Sequence, residues 1–424
     1  MKSINLEKEI KENIKTQEIV LPIMYSYKDK RDKILSEQEK KKFTEELRKI
    51  KEKSIDNISE LKKKAIENLS NNGIKVIEAK DAKDANKKIR EIIGKENLII
   101  KSKSNTANEI SLDESLKDKE LIETDLGDFL VQIFGKEELH PVLPAVDLKP
   151  EEIAKKIKEK FNVNVKPTNE DILKFAREYL REKIFRAKIG ISGANVISSD
   201  GSVFILENEG NISLVSRIPD KHIILTSFEK IVETREEAIK ITRAAGVFGT
   251  GQEYPVYVNI ISGPSKTADI QNKMITGAQG AKEVYLILLD NKRSEILESE
   301  FKELLYCIAC GACVNFCPVY HQIFKRYGAK YFPGAKGVIS SYFRESPKET
   351  YENGAFFCTT CELCKENCPM KIDLSSMIRR LRKHLVDKGI EPDTVEEMIK
   401  NIRKHRNPFG ELEEGKTPDK LYCC

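Results

Sequence analysis

The sequence predicts an α/β unit with a largely parallel sheet, followed by a mostly helical unit that carries a cysteine site. Three observations predict it. From Gly73 to Asp290 short apolar runs alternate with amphipathic helical patterns, the mark of parallel strands joined by crossover helices. Before Gly73 the apolar residues recur at three-to-four spacing, the period of a helix. Late in the chain stand two cysteine runs of identical spacing, Cys307-Ile-Ala-Cys310-Gly-Ala-Cys313-Val-Asn-Phe-Cys317-Pro318 and Cys358-Thr-Thr-Cys361-Glu-Leu-Cys364-Lys-Glu-Asn-Cys368-Pro369.

Residues 1–72 read as a helical region packing on the α/β unit. Phe43, Leu47, Ile50, Ile58, Leu61, Ala65 and Leu69 make one apolar stripe, and Asn71-Asn72-Gly73 ends it, because Gly takes the left-handed conformation readily. The α/β unit spans 73–291. Strands are expected at 74–79, 98–101, 120–124 and 141–145, with helices near 82–93, 106–117, 126–135 and 150–161. Thr106 with Glu109 reads as a capping box. A longer helix at 169–187 should bury Ile172, Phe175, Ala176, Tyr179, Leu180, Ile184 and Phe185. Asp200-Gly201 between apolar runs at 189–198 and 202–206 predicts a hairpin. Further strands are expected at 222–226, 254–261 and 284–289, and a helix at 234–246. A charged linker helix fills 292–306. The cysteine unit spans 307–390: residues 319–357 should carry helix that wraps the site, and 374–386 should bury Leu374, Met377, Ile378, Leu381 and Leu385. Residues 391–424 form a C-terminal tail.

Each run reads C-x2-C-x2-C-x3-C-P, the spacing that holds [4Fe–4S] clusters in two-cluster ferredoxins. Three thiolates in one tight loop reach three iron corners, and the fourth ligand comes from the other run. One cluster is therefore assigned to Cys307, Cys310, Cys313 and Cys368, the other to Cys358, Cys361, Cys364 and Cys317. The prolines should turn the chain away after each crossing ligand. A zinc ribbon needs only two C-x2-C pairs, and disulfides belong to oxidising compartments, so neither fits the doubled run. Ile308, Phe316 and Phe357 are candidates to shield the clusters from water.

The net charge is +5, and residues 1–64 account for all of it with 18 Lys/Arg against 13 Asp/Glu. There the charges interleave along helices, whereas a nucleic-acid site would gather its cations on one face. No run approaches the roughly 18 apolar residues of a membrane helix, and the first residues lack the apolar stretch of a signal peptide. A cytoplasmic protein is expected. No G-x-G-x-x-G follows a strand, and the five histidines are scattered, so neither a nicotinamide or flavin site nor a catalytic triad is indicated. Polar groups do collect at expected strand ends, where open α/β sheets bind ligands. Lys101, Ser102, Lys103 and Ser104 precede a helix start suited to an anion. Glu123 and Asp125 end another strand, and Glu207, Asn208, Glu209 and Asn211 follow the hairpin.

Lys101-Ser-Lys-Ser104, Glu123-Thr-Asp-Leu-Gly127, Ile191-Ser-Gly-Ala-Asn195, the stretch 202–211 and Ser262-Gly-Pro-Ser265 resemble the LUD domain of lactate-utilisation proteins. With the cysteine runs the whole is similar to the iron–sulfur subunit family of the lactate-oxidising complex. The resemblance implies a core like the ribose-5-phosphate isomerase and CoA-transferase folds, then an α-helical ferredoxin domain. It adds Asn195 to the candidate ligand-binding residues. It implies an electron-transfer subunit of a cytoplasmic oxidoreductase complex acting on lactate or a related 2-hydroxy acid, with a small anionic substrate and other redox subunits as partners. Asn407-Pro-Phe-Gly410 resembles the segment before cysteine-rich CCG modules, and the sequence stops at Leu421-Tyr-Cys-Cys424 where such a module would begin. A separate CCG-type subunit is therefore expected to dock there. A heterodisulfide-reductase-like complex and a redox-sensing scaffold are the alternative readings.

Overall fold

The computed structural model describes residues 6–136, 143–412 and 415–418. Three helices come first, α1 (Leu6–Ile34), α2 (Glu37–Asp56) and α3 (Ile58–Asn71). Ser36 starts α2 with a reciprocal cap: its Oγ accepts from the Glu39 N–H, and the Glu39 carboxylate accepts from the Ser36 N–H at 2.9 Å. The expected single stripe is thus divided between two helices that meet at Asn57. Phe43, Leu47 and Ile50 enter the core of the C-terminal unit, while Ile58, Leu61, Ala65 and Leu69 pack on the α/β side. Packing on the α/β unit therefore describes only part of the region 1–72. α1 lies along the C-terminal unit, where Asn13 Nδ2 donates to the Gln322 carbonyl at 3.2 Å and Glu9 pairs with Arg326 at 3.1 Å.

The strands are β1 (Ile74–Ala79), β2 (Leu98–Lys101), β3 (Glu120–Glu123), β4 (Ile189–Gly193), β5 (Val196–Ser198), β6 (Ser202–Glu207), β7 (Lys221–Ser227), β8 (Ile231–Val232), β9 (Tyr257–Ile261), β10 (Lys266–Thr267), β11 (Ile275–Thr276) and β12 (Glu283–Leu289). Six of them form a sheet in the order β1-β12-β7-β4-β2-β3, and every neighbouring pair is parallel. β4, β7 and β12 are buried nearly throughout because helices cover both faces of the sheet. A second sheet runs β8-β5-β6-β9.

Several expectations differ from this arrangement. The run 189–198 is two strands in two sheets: β4 belongs to the parallel sheet, and β5 pairs antiparallel with β6 through the turn at Gly201, whose φ is +95°. Asn195 Oδ1 accepts from the Leu206 N–H at 2.9 Å and pins the crossing. In the expected strand 141–145, Pro141 and Val142 lie outside the described residues, and no strand forms at 143–145, where Pro144 cannot donate to a ladder. The helix expected at 106–117 is two short pieces, Asn105–Glu109 and Leu112–Ser115, broken by Ser111 at a φ of +50°. Its cap is Ser104, whose Oγ accepts from the Ala107 N–H at 3.2 Å, and not Thr106. Phe185 is exposed: the helix Asn169–Arg186 buries Ile172, Ala176, Leu180 and Ile184 at four-residue steps, and Phe185 falls one position off that line.

The linker is the largest departure. It forms Arg293–Leu297 and a tight turn at Lys302–Tyr306, and Arg293 is buried instead of solvated. The Arg293 guanidinium forks onto the Glu109 carboxylate at 2.8 and 2.7 Å, and its Nε reaches Glu229 at 2.7 Å. Arg344, from the C-terminal unit, approaches Glu109 at 3.3 Å. Burial raises Glu109, but the two guanidiniums outweigh it and hold the carboxyl down at about 2. Removing one partner of such a network strands the opposite charge without water. Arg293→Met is expected to destabilise the protein by about 3–5 kcal/mol, read as a lower urea midpoint; an unchanged midpoint would show the network to be dispensable.

Candidate functional site

The two cysteine runs adopt the same loop twice. The third and fifth residues of each are left-handed: Ala309 and Gly311 at φ +58° and +84°, Thr360 and Glu362 at +54° and +68°. Side chains rarely accept that conformation, at a cost of about 1–2 kcal/mol per residue, so the repetition marks a shape the surroundings impose. The curl aims backbone at sulfur. The Ala309 N–H donates to Cys307 Sγ at 3.3 Å, and the Thr360 N–H donates to Cys358 Sγ at 3.4 Å. A short helix follows each loop, Ala312–Asn315 and Leu363–Glu366.

The last cysteine of each run crosses to the other loop. One hollow is lined by Cys307, Cys310, Cys313 and Cys368, with Leu304, Ile308 and Ile372 among its apolar walls. The other is lined by Cys317, Cys358, Cys361 and Cys364, with Cys313, Val319 and Tyr327 beside them. All eight predicted cysteines are thus gathered into two groups, divided as the spacing requires. The groups are open arrangements around a space: no set of three or more His, Cys, Asp or Glu among the described residues is placed to hold a single ion. Thiolate donors around an apolar hollow fit a cluster of soft iron and sulfide. Burial pushes Cys310 and Cys364 up to about 12, and Cys317 and Cys368 up to about 11, so iron must displace protons on binding.

Neighbouring elements hold this geometry. Pro318 does more than turn the chain away: it opens the helix Pro318–Ile323 at its first position, with Cys317 as cap. Helix Arg235–Thr250 packs so closely that a Cβ on Gly249 would lie 2.7 Å from the Cys310 carbonyl oxygen. Ile308 is buried in the core of the C-terminal unit, Phe316 is buried, and Phe357 is half-buried against that core.

A second polar cluster occupies one end of the parallel sheet. Lys101 and Glu123 are register partners on β2 and β3, and Lys101 Nζ lies 2.6 Å from the Glu123 carboxylate. Lys103 Nζ is 3.1 Å from Asp128 and 3.9 Å from Asp125. Asn211 Nδ2 donates to Thr124 Oγ1 at 3.1 Å, and the Glu209 carboxylate accepts from the Leu126 N–H at 3.0 Å. Burial and the neighbouring Asp125 carboxylate push Glu209 up to about 7. Buried Ser102 Oγ has no hydrogen-bond partner among the described residues. Lys101, Ser102, Lys103, Ser104, Glu209 and Asn211 are therefore brought to one edge. The other three candidates hold backbone: Glu207 caps Asn211–Arg217 through the Ile212 N–H at 2.6 Å, Asn208 accepts from the Val256 N–H at 3.0 Å, and Asn195 pins the sheet crossing.

The family model described as the LUD domain matches residues 62–289, more than half of the chain. The chain belongs to the LUD-domain family. A second model, described as a 4Fe-4S dicluster domain, matches residues 303–372, so this LUD protein carries an iron–sulfur region behind its α/β domain. It is 32% identical over 333 residues to Lactate utilization protein B of Macrococcus caseolyticus, covering 77% of this chain and 68% of that one. It is 32% identical over 339 residues to Lactate utilization protein B 1 of Bacillus mycoides, covering 78% and 69%. An Uncharacterized electron transport protein, YkgF, of Escherichia coli K12 is 31% identical over 334 residues, covering 78% and 68%. No helix among the described residues is long and apolar enough to cross a membrane.

Two cations beside the cysteines of this LUD protein escape sequence reasoning, because both sit on helices rich in solvated charge. The Arg31 guanidinium lies 5.7 Å from the ring centres of both Phe248 and Phe316 and donates to Asn367 Oδ1 at 3.0 Å. Lys51 is buried, donates to the Glu229 carbonyl and lies close enough to Cys307 to feel its charge. Burial pulls Lys51 down to about 8 from 10.5. The unfolded chain therefore holds this proton more tightly, and the contribution to stability rises with pH between about 8 and 10.5. Lys51→Met should lack that rise, measured as the difference between variant and wild-type urea midpoints across this range; parallel curves would contradict it.

Proposed function

We propose that this LUD protein is an electron-transfer subunit of a cytoplasmic oxidoreductase complex. It holds two [4Fe–4S] clusters, one on Cys307, Cys310, Cys313 and Cys368, the other on Cys317, Cys358, Cys361 and Cys364. The crossed lining of the two hollows carries this reading. When bound, each such cluster takes up or gives up one electron and makes no bond to substrate. The chain's own residues set the conditions. Their thiolates fix the iron, the Ala309 and Thr360 N–H groups stabilise negative charge on sulfur, and the apolar walls keep water away.

Lactate or a related 2-hydroxy acid is the proposed electron source, on the strength of the relatives named for lactate utilisation. The strand-end group of Lys101, Ser102, Lys103, Ser104, Glu209 and Asn211 is the proposed place for a small anion. Its lysines already face carboxylates, so an incoming anion must compete with Glu123, Asp125 and Asp128.

The proposed docking segment for a second redox subunit, of the cysteine-rich CCG type, is the C-terminal tail. Helix Asp393–His405 buries none of its residues; Ile399 and Ile402 stand exposed on it, and Phe409 and Leu412 beyond its end. Cys423 and Cys424 lie outside the described residues. Exposure of this kind favours a subunit within a complex over a self-contained redox sensor.

Anaerobically purified protein is expected to contain about eight iron and eight acid-labile sulfide per chain, with an interacting-spin EPR spectrum after dithionite reduction. Zinc, or iron for one cluster only, would refute the two-cluster assignment. Deleting residues 407–424 should abolish copurification of the partner subunit while leaving iron content unchanged; undiminished copurification would remove the docking role.

A further inference from the structure

The hollow lined by Cys317, Cys358, Cys361 and Cys364 holds one feature that its counterpart lacks. Tyr327 is fully buried in its wall, and no nitrogen or oxygen among the described residues hydrogen-bonds its hydroxyl. A buried hydroxyl that gives up water for nothing is costly, and buried polar groups almost always find a partner. What surrounds this one is sulfur. The ring shares the wall of the hollow with Cys317, Cys358 and Cys364, three of its four cysteines, and the hydroxyl feels the charge of each.

The ring is held there by backbone. The Tyr327 carbonyl accepts from the Gly334 N–H at 2.7 Å, and the next residue, Gly328, donates its N–H to the Asn353 carbonyl at 3.0 Å. On the other side Gly354 leaves just the room required, since a Cβ there would sit 3.0 Å from the Tyr327 ring. Tyrosine is thus placed with one free donor and a thiolate as the available acceptor. Thr359, Thr360 and Ser375 also line this hollow, but of its hydroxyls only that of Tyr327 is buried without a partner among the described residues, and the opposite hollow, walled by Leu304, Ile308, Met370, Ile372 and Leu374, is lined by no hydroxyl.

Resting on the two-cluster reading, we infer that Tyr327 is a positioning residue that tunes one cluster selectively, its phenolic O–H donating to the Cys358 thiolate. A donor on a ligand sulfur stabilises the more negative, reduced state, so this contact raises the reduction potential of the cluster bearing Cys358 and leaves its neighbour unmoved. The two clusters then differ in potential by design of the wall, which gives an electron a preferred resting place.

The test is Tyr327→Phe in the full-length, iron-loaded protein, followed by an EPR-monitored redox titration. The expected result is a fall in one midpoint only, by about a tenfold change in that cluster's one-electron equilibrium, or about 59 mV, with iron and sulfide content unchanged. Two unmoved midpoints at full iron content, or two that fall together, would overturn the inference. Should the variant fail to load iron, the wild type decides. Electron–nuclear double resonance of the reduced protein should show a coupled proton on one cluster that disappears after exchange into deuterium oxide under partly unfolding conditions. Selective deuteration of the tyrosine ring should place that proton beside deuterons of the ring. A reduced cluster without such a signal refutes the contact. Wild-type protein that binds no iron would instead remove the two-cluster reading itself.

Discussion

The crossing of Cys317 and Cys368 is the constraint on which the C-terminal unit depends. Each loop of three cysteines is local and lies within seven residues, but each hollow is completed by a residue some fifty positions away. Neither half of the site can form alone. The intervening segment has to leave the first hollow, travel round both and return in register. It does so with three helices, Pro318–Ile323, Gly334–Arg344 and Pro347–Glu352, and a tight turn that places Tyr327 in the wall. The strained loops at Ala309 and Thr360 are tolerable because this wrapping over-determines them.

The same unit is bound to the α/β domain by two different kinds of force. One is apolar. Val20 and Met24 of α1, Leu47 and Ile50 of α2, Val196 and Phe204 of the second sheet, Val338 between the cysteine runs, and Met377 and Leu381 beyond them all belong to one core. The other is ionic. Glu109 at the parallel sheet receives Arg293 from the linker and Arg344 from the C-terminal unit. Apolar burial supplies most of the stabilisation, while the buried charges specify one alignment, since any other would leave a carboxylate or guanidinium unpaired.

How much of this could be read beforehand follows from the range of the interactions. Ligand spacing is local chemistry, so the cysteines and their division were legible residue by residue. β1 and β2 were also legible to the residue, since short runs rich in Ile, Leu and Val mark a strand by themselves. Features that depend on a distant partner were not legible. Glu109 looked like half of a capping box because its true partner, Arg293, lies 184 residues on. Arg293 looked like one more charge of the linker for the same reason. Lys101 and Glu123 were both visible at strand ends, but only the order of β2 and β3 in the sheet makes them an ion pair. The split of 189–198 between two sheets left no trace in hydrophobicity, since both strands are buried.

The continuous core has a consequence for how the protein is maintained in a cell. Because helices before the α/β domain and helices beyond it share one packed interior, there is no surface along which the cysteine unit could come loose by itself. A group that binds only the folded form stabilises whatever unfolds with its site. Here that includes the N-terminal helices and the second sheet. Scarcity of iron would thus be felt as faster turnover of the entire polypeptide, and supply of metal would govern its abundance.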